Sequence, residues 1–96
     1  MTARHLVVSY DVTDDRRRAR LAELLRDYVD RVQKSVFEGP VAEARLERLR
    51  REVTDLIDHA EDSVRVYTLC RRCREATEAI GTAVRVAWDE PGDVVL

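Results

Sequence analysis

The chain has 96 residues, 45% of them hydrophobic and 38% charged, with a net charge of −2. That length allows one domain over residues 1–96 with one modest core, burying a little over about 60% of the unfolded surface. Mixed charge excludes both disorder and a globally basic binder, although 17 Lys and Arg leave room for a locally basic surface.

Residues 5–10 (HLVVSY) alternate Leu6, Val8 and Tyr10 with His5, Val7 and Ser9. Both sets carry apolar members, which predicts a central strand rather than an edge. Thr13 or Asp14 can cap the following helix, expected from Asp14 to Tyr28. Its apolar stripe is Leu21, Leu24, Leu25, Tyr28 and Val29. Residues 31–38 (RVQKSVFE) are expected to form one strand, ended by Gly39 and Pro40. A second helix is expected next, with Val41, Leu46, Leu49, Val53, Leu56, Ile57 and Ala60 on one side. Residues 63–69 (SVRVYTL) and 82–88 (TAVRVAW) are the remaining strands, with a short helical or turn segment between them. Pro91-Gly92 marks a turn, and Val94, Val95 and Leu96 fit a terminal edge strand in segment 89–96. Helices on one face of an antiparallel sheet give an α+β sandwich. A second copy of the sheet is the simplest cover for the other face, which points to a homodimer.

No run approaches the ~18 apolar residues of a membrane span. The N-terminus also lacks the pattern of a secretory signal, so a cytoplasmic location is expected.

Asp11 ends the first strand just before a helix. A carboxylate there suits Mg²⁺, which takes one or two carboxylates together with waters and substrate phosphates. The same residue type also serves as a turn aspartate bonded to local backbone N–H groups, and the spacing leaves both readings open. Arg16, Arg17, Arg18 and Arg20 crowd a helix start that favours anions, which suggests phosphate contact; a solvated face paired with Asp14, Asp15 and Glu23 is the alternative. Arg31 and Lys34 add positive charge. Phe37 either stacks on a base or fills the core. Cys70 and Cys73 have the spacing of half a zinc site or a redox pair. The motif has no second copy and no thioredoxin-like surroundings, so the cysteines are read as structural.

SYDVTDDRRR, RVQKSVFEG and SVRVYTLCRRC together resemble the CRISPR-associated protein family two, from Leu6 to Val86. This family supplies the small subunit that joins the CRISPR-associated integrase in spacer acquisition. The resemblance implies a ferredoxin-like fold and a homodimer whose C-terminal strand pairs with the other subunit. It also implies a shared Mg²⁺ met by one carboxylate from each subunit. The family's strand-end aspartate falls on Asp11, preceded by Tyr10. Its arginines match Arg17 and Arg18, with Arg20 less surely placed. One strand run between the helices departs from the usual hairpin, unless the chain bends near Lys34 or Ser35.

The implied function is a dimer that bridges integrase dimers and holds DNA or RNA through Arg17, Arg18, Arg20, Arg31 and Lys34. The rival is a Mg²⁺-dependent endoribonuclease or DNase, with Asp11 as metal ligand and Tyr10 and the arginines orienting the backbone. A purely structural or toxin-like dimer is the third reading.

Overall fold

The computed structural model describes residues 3–81. In chain order these form β1 (Ala3–Asp11), α1 (Asp15–Arg26), β2 (Asp30–Gln33), β3 (Val36–Ala42), α2 (Glu43–Leu56), β4 (Ser63–Leu69) and α3 (Arg71–Glu75). The strand expected at 82–88 and the terminal segment 89–96 lie outside the described residues.

The sheet order is β2-β3-β1-β4, and every neighbouring pair is antiparallel. α1 therefore links β1 to β2 across the intervening β3, and α2 links β3 to β4 across β1. Two interleaved split βαβ units result, which is the ferredoxin-like arrangement. Right-handed crossovers put both helices on the same face.

The core lies between that face and the helices. Leu6, Val8 and Tyr10 of β1 and Phe37 and Val41 of β3 meet Leu21, Ala22 and Leu25 of α1 and Leu46, Leu49 and Val53 of α2. The two-residue period of β1 and the helical spacing of the leucines are what bring these side chains together. The N-cap of α1 is Asp14, whose carboxylate accepts the Arg17 N–H at 2.9 Å.

Three sequence expectations change here. The single run 31–38 is a hairpin, because Lys34 and Ser35 turn the chain between β2 and β3. Gly39 and Pro40 do not end a strand but lie inside β3, opposite Leu6 and His5. Pro40 is tolerated there because β2 pairs only as far as Asp30↔Glu38, leaving the rest of β3 bonded on one side. A Cβ on Gly39 would stand 3.4 Å from Val29 Cγ1, an ordinary contact distance, so the segment after α1 packs directly over this part of β3. Val41 belongs to β3 rather than to the second helix, and Ala60 lies in an exposed turn after it. Among the described residues, no helix is long and apolar enough to cross a membrane.

Candidate functional site

Asp11 is the last residue of β1, exposed and paired in register with Ser63 of β4. The β1–α1 turn is held by other groups. Asp14 caps the helix, and the Arg18 guanidinium donates to the carbonyls of Val12 at 3.0 Å and Thr13 at 3.3 Å, and also to Asp15. The role a turn aspartate would play thus falls to Asp14. No hydrogen bond or ion pair engages the Asp11 carboxylate among the described residues.

The β2–β3 turn is drawn to the same end of the sheet. Arg31 Nη2 and Nε donate to the Lys34 carbonyl at 2.8 and 3.2 Å, and the Tyr10 hydroxyl lies 3.5 Å from that oxygen. The Tyr10 backbone N–H donates to the Ser35 carbonyl at 3.2 Å. The Arg31 guanidinium also sits 5.6 Å from the centre of the Phe37 ring. These bonds set Lys34 and Arg31 beside Asp11. The three share a cleft of about 330 Å³ with Tyr10, Val12, Arg18 and Ser35. One unengaged carboxylate faces three cations there, an arrangement that suits a phosphate backbone alongside a single acid.

The structure divides the remaining sequence candidates. Arg17 does not join the cleft. Its Nε lies 2.7 Å and its Nη2 3.2 Å from the Asp62 carboxylate, whose side chain is fully buried. Hydrogen bonding to Asp62 raises the Arg17 pKa, and the Arg17 guanidinium followed by the Asp58 backbone N–H lowers that of Asp62. Arg17 is thus a clamp between α1 and the approach to β4, not a solvent-facing phosphate ligand. Phe37 is fully buried and stacks on Tyr10 at a centroid distance of 6.2 Å. It has no face for a base, so its role is core packing. Tyr10 is also buried, with its hydroxyl directed at the hairpin turn instead of at solvent. Arg20 is exposed on α1 and borders a neighbouring shallow groove with Arg18 and Arg31.

On β4, Ser63, Arg65 and Tyr67 stand opposite Asp11, Ser9 and Val7 in register and so share the sheet face away from the helices. All three are exposed, and Arg65 Nη1 donates to the Tyr67 hydroxyl at 3.2 Å. The motifs did not single out this polar row, although its two-residue spacing in SVRVYTL could have shown it.

Asp11 fits the donor chemistry of Mg²⁺ as one carboxylate ligand with open space for waters and phosphate oxygens. Among the described residues, no group of three or more His, Cys, Asp or Glu forms a complete protein cage.

Comparison with known proteins gives one family. The model described as "CRISPR associated protein Cas2" matches residues 4–77. The CRISPR-associated endonuclease Cas2 2 of Thermus thermophilus is 48% identical over 67 residues, 70% of this chain and 74% of that protein. The CRISPR-associated endoribonuclease Cas2 1 of Chloroflexus aurantiacus is 42% identical over 76 residues, 78% of this chain and 82% of that protein. A chain of the solved partial Cas6-RT-Cas1–Cas2 complex superposes with a TM-score of 0.68 at 31% identity, covering 80% of this chain and 90% of that one.

Proposed function

This chain belongs to the Cas2 family of CRISPR-associated proteins, and on that premise we propose that it serves CRISPR adaptation. It does so as a nucleic-acid-binding homodimer that bridges dimers of the CRISPR-associated integrase. The similarity to a chain solved in a complex with Cas1 supports the integrase as partner. The observation that carries the site is the unengaged Asp11 carboxylate beside Arg18, Arg31 and Lys34. The three cations bind phosphates and orient the backbone without reading bases. Salt-sensitive, sequence-tolerant binding follows.

The dimer forms through the sheet face away from the helices, where Asp11 ends a central strand. Two Asp11 carboxylates brought about 4 Å apart would repel by roughly 4 kcal/mol at an effective dielectric of 20. Mg²⁺ held by the Asp11 carboxylates would offset that cost. When bound, the ion supplies charge stabilisation at a phosphoryl oxygen and a water of lowered pKa. Asp11 would hold it, Arg18 fixes the backbone of Val12 and Thr13 just beyond Asp11, and Lys34 and Arg31 would seat the polyanion.

The endonuclease and endoribonuclease names of the two relatives favour a second reading, in which phosphodiester cleavage is the main activity. Spacer acquisition and cleavage are measured side by side for the wild type, Asp11→Asn and an Arg18/Arg31/Lys34 triple alanine. Acquisition that survives Asp11→Asn while cleavage disappears supports the bridging role. Loss of both together supports the nuclease. Acquisition and binding left intact by the triple alanine would remove the cleft from either.

A further inference from the structure

Cys70 and Cys73 lie outside the Asp11 cleft, and the adaptation role makes no use of them. The structure also departs from the expectation that they are structural, since both are exposed and free and neither joins the core. Cys70 is the N-cap of α3 and Cys73 is in its first turn, which folds one sulfur back over the other. Their Sγ atoms are 3.4 Å apart, and the Cys73 backbone N–H donates to Cys70 Sγ, also at 3.4 Å. A disulfide needs about 2.05 Å between sulfurs, so the two atoms are already in contact and lie little more than 1 Å beyond bonding distance. A metal reading lacks support, because among the described residues no third His, Cys, Asp or Glu gathers near the pair.

We propose that Cys70 and Cys73 form a reversible dithiol–disulfide couple, with Cys70 as the attacking sulfur and Cys73 as the resolving one. The two are not equivalent. The Cys73 N–H and thiol stabilise the Cys70 thiolate and lower its pKa, while the same thiol–thiolate hydrogen bond raises that of Cys73. The side chain that ionises first is therefore the one already held against its partner.

The oxidant is a low-molecular-weight disulfide such as oxidised glutathione. The Cys70 thiolate attacks one of its sulfurs, forming a mixed disulfide and expelling one thiolate. Cys73 then attacks Cys70 Sγ, its proton passing to solvent or to the departing thiolate, and the second small thiol is released. Two electrons move from the protein to the small disulfide, leaving one intrachain disulfide and two small thiols. The product ties the first turn of α3 to the end of β4.

The test uses the full-length protein and oxidised glutathione, with alkylation and intact mass as readouts. Both thiols should alkylate in the reduced protein and neither after oxidation, with full return on adding a dithiol. Near neutral pH, Cys70 should alkylate faster than Cys73, since the Cys73 backbone N–H and thiol stabilise its thiolate. Cys73→Ser should stop at the mixed disulfide on Cys70, and Cys70→Ser should react slowly. Because both side chains are exposed, both variants should fold, as circular dichroism would show. Thiols that stay fully alkylatable after equilibration with the oxidant would overturn the proposal. So would equal reactivity of the two cysteines, links only between chains, or a bound metal that shields both.

Discussion

The Arg17 guanidinium lies 2.7 Å from the Asp62 carboxylate and joins the first turn of α1 to the segment leading into β4. The same carboxylate accepts the Asp58 backbone N–H at 2.9 Å, so one buried acid secures two pieces of chain. These bonds hold Asp62 below the ordinary carboxylate range. A carboxyl depressed in the folded state contributes stability above its unfolded pKa and loses it as pH falls through the folded one. The melting temperature should therefore drop as pH falls below about 3.9, the ordinary aspartate value. Asp62→Asn should melt lower than the wild type at pH 7, and the two should converge in acid. Thermal melts followed by circular dichroism across that range check both outcomes.

Arg17 and Lys34 should separate cleanly as variants. Arg17→Ala removes the partner of a buried carboxylate, so it should lower stability while leaving the affinity of the folded protein for nucleic acid nearly unchanged. Lys34→Ala should leave the melting temperature within a degree or so of the wild type and weaken binding alike on unrelated duplexes. Removing one cation that neutralises a phosphate should flatten the log–log salt dependence by about 0.9 on duplex DNA. Binding measured by fluorescence anisotropy at several salt concentrations reads both effects.

Asp11→Asn keeps the shape of an exposed side chain that makes no bonds among the described residues, so folding should be unaffected. Cleavage should fall by about 100-fold or more if the carboxylate holds the catalytic ion. Chelation of divalent cations should reproduce that loss in the wild type and add nothing in the variant. Binding should persist or tighten, because a negative charge has been removed from a site for a polyanion. Gel-based cleavage and binding assays, with and without chelator, test this.

Phe37→Ala should cost about 3–5 kcal/mol, the usual range for emptying a fully buried aromatic position. The loss should appear as a lower urea midpoint. Phe37→Leu should recover most of the stability and bind nucleic acid as the wild type does. A Leu variant that folds normally yet binds poorly would reinstate the base-stacking role that the burial of Phe37 argues against.

Much of the architecture was legible because it rests on local periodicity. The alternation in HLVVSY marked β1 as the central strand, the leucine spacing marked α1 and α2, and residues 63–69 were placed at the bounds of β4. Periodicity did not show the hairpin, although the family resemblance pointed to one with a bend near Lys34 or Ser35. RVQKSVFE contains neither Gly nor Pro at its bend, so the polar Gln33, Lys34 and Ser35 are the only local mark of a turn. The turn is fixed instead by bonds from Arg31 and from Tyr10, which sits 24 residues away from Lys34. Pro40 misled for the complementary reason: it normally ends a strand, but here its neighbour on one side has already stopped.

Sequence alone determined β1, α1, β4 and most of α2, the family resemblance and the location of Asp11 at the end of a buried strand, because these follow from side-chain period and residue order. Only the tertiary structure decided which arginines line the Asp11 cleft. Arg16, Arg17, Arg18 and Arg20 are close together in sequence, yet Arg17 is drawn to Asp62, 45 residues on, while Arg18 turns toward the Asp11 cleft. Arg17 is committed to a buried acid from a distant part of the chain, whereas Arg18 bonds locally to Val12, Thr13 and Asp15 and so lies along the cleft.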